Sequence, residues 1–396
     1  MALGALIGAY QEDDSGGLRA LLPLAGRSLI EYQARCLAVA GAAPLVVLVE
    51  RVPPALNEAF ERLRSEGISV IAVSDGSEAA SRFEAGSDLI LLADGIAPDM
   101  GDLERLLEEG GTAILTVPDD EAHSEFERID GTHRWAGLAR VDANMVGATA
   151  AMLGDWDLQS TLLRRAIQSG SRLLKSSDAE GRGPFLATSE EATAGYERRL
   201  IVASRAVRED WVSRFLLPLV EEFATEKLME TGIRPAWLVQ AGLVMTVAAA
   251  FCFSRGWHWG ALSLLLLSTP LDLVAQRLAT LRLQPLSPTM FSRRLLWPAA
   301  GLALVALGWF EMNHGSGWGA LMAALGAAAF AEAGQVERSG RTIPGNEWHF
   351  SRRSATWLAL PFAIGGWWSA YLGLLAVYAA TSFFIAQHFR HNVERN

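Results

Sequence analysis

The residues best placed for chemistry lie at 268–298, STPLDLVAQRLATLRLQPLSPTMFSRRLLWP. Asp272 stands near the end of an apolar run, where a lone carboxylate is costly unless it faces a polar interior. Arg277, Arg282, Arg293 and Arg294 follow in quick order. One acid and several guanidiniums at an apolar border either handle anions or orient a chain in a membrane.

Composition says what kind of chain must position these groups. Its 396 residues suffice for two or three domains. Hydrophobic residues make up 51%, 13 residues are Trp, and mean hydropathy is +0.20, too apolar for an ordinary soluble enzyme. Charged residues at 20% are too many for a pure membrane bundle. Splitting the chain resolves the conflict. Beyond Glu230 stand 6 of the 44 acidic residues and 12 of the 34 basic ones, which leaves 38 and 22 before it. The first part is net −16 and the second +6, an acidic soluble half joined to a basic membrane half. The net charge of −10 and the lack of a recognisable module exclude a nucleic-acid partner. Cys36 and Cys252 lie far apart and suggest neither a disulfide framework nor a zinc site. His258, His314, His349 and His388 do not cluster at ligand spacing. The opening MALGALIGAY is short and runs into QEDD, so no signal peptide is expected and the acidic half belongs in the cytoplasm.

In the first half, residues 2–9 read as a buried strand and residues 10–17 as a polar loop with two glycines. Residues 28–40 have helical spacing, with Ile30, Ala34, Leu37 and Ala38 on one face. A β-branched run at 44–50 precedes a helix at 56–66, strands at 68–73 and 88–93, a helix at 103–109 and a strand at 113–117. This alternation predicts a parallel sheet with helices on both faces. Ligands of such sheets sit at the carboxyl ends of the strands, which puts loop 10–17 and Asp94 on one rim. Residues 128–153 read as strands closing the domain, 158–168 as an amphipathic helix, and 176–193 as a loop.

The text GGLRALLPLAGRSLIEYQARCLAVAGA resembles the opening of the nucleotidyltransferase fold, as in molybdenum-cofactor guanylyltransferases and sugar-phosphate cytidylyltransferases. The match is good from Leu21 to Tyr32. The resemblance implies that the loop glycines, Gly16 and Gly17, wrap nucleotide phosphates through backbone N–H groups. It implies phosphate binding by Arg19, which stands at the family's lysine position, and Mg²⁺ binding by Asp94. It also implies an acceptor pocket lined by a WAGIA-type strand, to which Trp135, Arg140 and Asp142 would contribute. The alternative for these three is Trp135 as core and Arg140–Asp142 as a surface pair. The loop departs from the family at Glu12, Asp13 and Asp14, three carboxylates where a triphosphate would lie.

Residues 211–230, WVSRFLLPLVEEFATEKLME, read as an amphipathic helix along the membrane surface, with Arg214, Glu221, Glu222 and Lys227 on its polar face. Apolar spans are expected at 236–254, 258–275, 295–311, 317–334, 354–366 and 369–388, near the length a bilayer requires. The fifth is short, so five spans is the alternative. Arginines fall after spans two and four (Arg282, Arg293, Arg294; Arg338, Arg341, Arg352, Arg353), whereas the other loops carry only Arg255. That places both termini and the soluble half on the cytoplasmic side of the inner membrane. The expected organisation is an α/β nucleotidyltransferase-like domain at 1–200, a juxtamembrane helix at 201–232 and an all-α six-helix transmembrane domain at 233–396.

This arrangement resembles a bifunctional family that fuses an inositol-1-phosphate cytidylyltransferase to a CDP-alcohol phosphotransferase, the di-myo-inositol-phosphate-phosphate synthase type. The transferase signature there is D-x2-D-G-x2-A-R-x8-G-x3-D-x3-D, whose four carboxylates hold metal ions. Asp272 matches the first acid and Ala279 the alanine. Ala275, Gln276, Thr280, Thr289, Arg293 and Trp297 replace the other signature residues. One carboxylate beside a guanidinium cannot supply the oxygens a divalent cation needs. Arg293 is therefore expected to pair with a vestigial Asp272. The resemblance extends phosphate binding to Arg214 and Arg293, and it implies CTP, CDP-alcohols and membrane lipids as ligands and a homodimer or membrane complex as the assembly. These losses favour a membrane-held pseudoenzyme acting as a scaffold or regulatory subunit. The alternatives are an active cytidylyltransferase or phosphotransferase using Mg²⁺, and a lipid-binding or transporter-like protein.

Overall fold

A computed structural model describes residues 3–152, 157–177, 183–204, 210–229, 231–284, 291–338 and 346–393. The chain divides into two compact units, Met1–Ala203 with Leu281–Leu283, and Ser204–Thr280 with Gln284–Asn396.

The first unit begins with β1 (Leu3–Gly8), the short pair β2 (Pro23–Leu24) and β3 (Arg27–Ser28), and α1 (Leu29–Val39). Ser28 and Glu31 form a capping box that starts α1. There follow β4 (Leu45–Leu48), α2 (Pro54–Ser65), β5 (Val70–Val73), α3 (Gly76–Ser81), β6 (Asp88–Leu92), β7 (Ile96–Ala97), α4 (Met100–Glu108) and β8 (Ala113–Pro118). The unit closes with β9 (His133–Asp142), α5 (Ala143–Ala150), α6 (Leu158–Gln168), β10 (Arg172–Lys175), β11 (Phe185–Leu186) and α7 (Glu190–Ala203).

The main sheet has the order β10-β8-β9-β6-β1-β4-β5. It is mixed, not parallel throughout, because β9 runs antiparallel to both β6 and β8. A parallel return needs a crossover connection, usually a helix. Between β8 and β9 there is only the one-turn helix Glu121–His123. The strand expected to continue to residue 153 also ends early. Asp142 accepts the Asn144 N–H at 2.6 Å and caps α5, so the alanine-rich text after it becomes a helix. The core beneath joins Leu6, Val46, Leu89, Leu91, Ile114 and Leu162 across strands and helices.

The second unit is helical: α8 (Trp211–Phe215), α9 (Pro218–Met229), α10 (Pro235–Ser254), α11 (His258–Leu281), α12 (Phe291–Glu311), α13 (Gly317–Arg338), α14 (Arg352–Gly365) and α15 (Trp368–Val393). The single helix expected at 211–230 is two, broken before Pro218, whose ring disfavours helical backbone in the residue before it. Among the described residues, four segments are long and apolar enough to cross a membrane: Pro235–Ser254, His258–Leu281, Phe291–Arg338 and Trp368–Phe389. Six spans were expected. The third segment holds two helices, parted where His314 (φ −114°, ψ 27°) and Gly315 (φ 111°, ψ −11°) leave helical backbone. At 14 residues, α14 is shorter than the roughly 20 residues a bilayer requires.

The outer surface of this unit is apolar, unlike that of a water-soluble bundle. Trp237, Val244, Phe251, Trp259, Leu267 and Trp309 point outward. Gly242, Thr246, Ala249, Ala303, Ala324 and Ala327 point inward. Small residues let membrane helices approach closely. At Gly308 on α12, an added Cβ would stand 2.6 Å from Ala324 Cβ on α13. On α9 the pattern is the same, with Glu221 and Thr225 buried while Leu219, Val220 and Phe223 are exposed.

Candidate functional site

In the first unit β1 lies mid-sheet between β4 and β6. The crevice outside the carboxyl ends of β1 and β6 is where an open α/β sheet binds ligands. The chain places Tyr10 and Gln11 after β1 and Asp94 after β6. Asp94 is 3% exposed, and its Oδ2 accepts the backbone N–H groups of Tyr10 and Gln11, both at 2.6 Å. Its Oδ1 is buried and accepts no hydrogen bond. Burial raises the Asp94 pKa above the ordinary carboxylate range, against the pull of the Gln11 and Tyr10 amides and the charge of Arg19.

Around it the cleft is polar. The Tyr10 hydroxyl donates to Asp157 Oδ1 at 2.7 Å and lies 3.3 Å from Gln159 Oε1. Burial, then the Asp157 carboxylate, push the Tyr10 phenol far up. Gln159 is fixed by donating to the Leu92 carbonyl at 2.9 Å. It fits because residue 8 is glycine: a Cβ there would stand 2.7 Å from Gln159 Oε1. Glu127 accepts from the Ser160 hydroxyl at 3.1 Å, and burial raises its pKa. The cleft holds about 120 Å³, with Tyr10, Arg19, Asp94, Glu127, Trp135 and Asp157 in its wall.

Gly16 and Gly17 belong to the adjoining turn. Asp13 Oδ1 accepts the Ser15 N–H at 2.8 Å, the Ser15 hydroxyl at 2.7 Å and the Gly17 N–H at 2.8 Å. The Gly16 N–H donates to the Asp13 carbonyl at 3.1 Å. The Ser15 hydroxyl, outweighing the burial and aided by these amides, holds Asp13 below the ordinary range. Of the two glycine amides a phosphate would need, Gly17's is thus turned onto the Asp13 carboxylate and Gly16's onto the Asp13 carbonyl. Arg19 reaches the cleft but donates Nε to the Glu12 carbonyl and Nη1 to Gln11 Oε1, both at 2.9 Å.

Trp135 is core and cleft wall at once, 4% exposed with Nε1 donating to the Leu138 carbonyl. The surface pair considered for Arg140 and Asp142 does not form. Arg140 donates to Asp88 Oδ2 at 2.7 Å and to the Leu107 carbonyl at 2.8 Å, while Asp142 is the α5 cap.

In the second unit Asp272, on α11, is 19% exposed. Its Oδ2 accepts Arg353 Nη2 at 2.8 Å. Its Oδ1 lies 3.1 Å from Arg352 Nη2, an ion pair without the alignment of a hydrogen bond. Arg353 also donates to Asp210 Oδ2 at 2.6 Å, and Arg352 to the Ser268 hydroxyl at 3.1 Å. The partner expected for Asp272 was Arg293; its ion pairs among the described residues are instead with Arg352 and Arg353. Arg293 is exposed on α12. Arg214, on α8, lies 3.3 Å from Glu347 and is half exposed. A second buried ion pair in this unit joins Arg277 to Glu221 at 3.2 Å. Thr289 and Arg341 lie outside the described residues.

Sequence reasoning missed the Arg352–Arg353 pair, which reads as topology charge. The available signal is position: two cations open α14, where the helix dipole disfavours them and an acid must compensate. A cleft of about 350 Å³ lies beside this network, walled by Trp297, Pro298, Leu304, Ala328, Phe350 and Arg352. His258 and His314 both pack on the Phe310 ring, and His258 stands 3.9 Å from Glu311, a ring cluster and not a ligand set.

Among the described residues neither acid has a divalent-metal donor set around it. Among the described residues no group of three His, Cys, Asp or Glu could hold a metal ion. Asp272 is surrounded by guanidiniums, and Asp94 has one oxygen committed to peptide amides. Mg²⁺ needs several oxygen ligands at near-octahedral geometry.

No family model matches the chain, and no curated protein matches it. Among solved structures, the chain is weakly similar to a Bacillus anthracis protein described as a glucose-1-phosphate thymidylyltransferase, crystallised with sucrose. The TM-score is 0.40 at 11% identity, over 50% of this chain and 96% of the other. A likeness at that level says nothing about activity or substrate.

Proposed function

We propose that the chain is a membrane-held relative of the cytidylyltransferase–CDP-alcohol phosphotransferase fusions that has lost catalysis, and acts as a scaffold or regulatory subunit. The observation that carries this reading is the pairing of Asp272 with Arg352 and Arg353. The only acid retained from the transferase signature has its charge answered by side-chain cations, so it is not available to activate a hydroxyl through metal. The first unit supports the same reading. Asp13 occupies the loop amides, and the cleft carries carboxylates that repel a triphosphate. Carboxylates near a surface repel each phosphate charge by on the order of 1 kcal/mol or more at contact distances.

The deciding assay uses the full chain in detergent with CTP, Mg²⁺ and a panel of polyol phosphates, followed by addition of CDP-alcohols. The expected result is no pyrophosphate release and no CMP release above a protein-free control. Release of either that rises with protein concentration overturns the proposal.

A second reading is favoured by the 350 Å³ cleft, whose wall is apolar apart from Arg352 and Glu332. Such a wall suits an anionic lipid held without chemistry. Saturable binding of phosphatidic acid, lost in Arg352→Gln, would promote it over the scaffold.

A further inference from the structure

The cleft of the first unit has polar groups whose hydrogen-bonding capacity the sheet and the loop turn use only in part. Its wall carries Asp94, Glu125, Glu127 and Asp157 against one cation, Arg19. Two of the Arg19 donors are already spent on Glu12 and Gln11. The balance of charge therefore asks for a cation. A buried acceptor there also lacks a partner. Asp94 Oδ1 has no hydrogen-bond partner, and Asp94 is 3% exposed at the cleft wall. A buried acceptor without a partner is destabilising by about 1–3 kcal/mol, so a ligand donor there is favoured. Size narrows the ligand further. At about 120 Å³ the cleft falls well below the roughly 300–1,000 Å³ of pockets that enclose drug-sized ligands. The Tyr10 phenol, the Gln159 amide and the Ser160 hydroxyl already donate within the protein, and each keeps an oxygen that can accept from a ligand hydroxyl.

We propose that this cleft binds a small hydroxylated primary amine, an amino alcohol or amino sugar. Its ammonium donates to Asp94 Oδ1 and Glu127, and its hydroxyls meet Tyr10 and Gln159. Burial lifts the pKa of both acids, and an ammonium at hydrogen-bond distance opposes that lift. The inference goes beyond the scaffold reading and does not depend on it: it rests on the charge, size and polar wall of the cleft alone.

The test is calorimetric titration of the full chain with matched pairs, glucosamine against glucose and ethanolamine against ethylene glycol, with inorganic phosphate as the anion probe. At least one amine is expected to bind saturably and its neutral partner not to bind. Glu127→Gln keeps an acceptor for Ser160 and removes the charge, so it should weaken the amine by about tenfold or more, the size of one charge-assisted hydrogen bond. Asp94→Asn should weaken it similarly while its carbonyl still accepts the two loop amides. If either variant unfolds, the wild-type pairs alone decide. Equal binding of amine and neutral partner, no binding of either amine, or phosphate binding tighter than both overturns the proposal.

Discussion

Two acids, Asp94 buried in the first unit and Asp272 partly buried in the second, are neutralised by different means. Asp94 is held by two peptide N–H groups, fixed dipoles that the strand ends leave spare. Asp272 is held by two guanidiniums, and one of these is shared with Asp210. The difference follows from the architecture. A sheet ends in loops whose amides are free to turn inward. In a helix built for an apolar surrounding, the backbone N–H groups are spent within the helix, so a side chain must supply the donor. An acid served by backbone keeps one oxygen for a ligand. An acid served by side chains is locked into a network in which each charge depends on the next.

Substitution should separate these two arrangements most sharply. Arg353→Met leaves Asp210 and Asp272 short of their shared cation. Breaking a buried pair by removing one partner is destabilising by about 3–5 kcal/mol. Asp94→Asn preserves an acceptor for both loop amides and should change stability by about 1 kcal/mol. Unfolding of both variants in detergent, followed by tryptophan fluorescence, measures the difference. If Asp94→Asn is as damaging as Arg353→Met, the acids are not held differently and the contrast fails.

Glycines sharpen the same contrast one step down in size. Gly308 is needed for space, because a Cβ would meet Ala324 Cβ at 2.6 Å and the Ala320 carbonyl at 3.0 Å. Gly16 is needed for conformation, at φ +81° with nothing within 4 Å of an added Cβ. Gly308→Ala should cost about 1–3 kcal/mol through overpacking of α12 on α13. Gly16→Ala should cost about 1–2 kcal/mol through the left-handed backbone alone. The discriminating variant is Gly16→Asn, a residue that tolerates this backbone and should recover most of the loss. Gly308→Asn should recover nothing, and recovery there would remove the packing account.

The fold was legible where one signal dominated. The apolar runs at 2–9 and 88–93 became β1 and β6, and the helical spacing at 28–40 became α1. The rim was legible too, because strand-end geometry alone brings Tyr10 and Asp94 together. The reversal at β9 was not, since nothing in its residues says that the connection before it lacks a crossover helix. The acid at 272 stood out by its apolar setting, but its partners did not. Arg352 and Arg353 lie about eighty residues on, and pairing across that distance is set by helix packing, which one sequence does not print. Gln159 was missed for a related reason. Its signal is the absence of a side chain at Gly8, and a glycine inside an apolar strand has several explanations.

The smallest expected effect concerns protons. Burial holds Asp94 and Glu127 above the ordinary carboxylate range. The folded chain then binds more protons than the unfolded one between the unfolded pKa, about 4, and the raised values. Their contribution to stability is full below that window and is lost as pH rises through it. Glu31 behaves oppositely. Burial would raise it, but the Arg62 and Ser28 hydrogen bonds prevail and hold it low. Its contribution is present above the unfolded pKa and is lost as pH falls through the folded one. The midpoint of denaturant unfolding of the first unit, followed across this range, should therefore carry two opposed slopes. Glu127→Gln should flatten the falling slope above pH of about 4, and Glu31→Gln the rising slope below it. Glucosamine at saturation should act like Glu127→Gln, because an ammonium beside the acids removes the reason for their raised pKa. A falling slope that neither the substitution nor the amine alters would mean that these acids are already answered by the protein, and Asp94 would then resemble Asp272 after all.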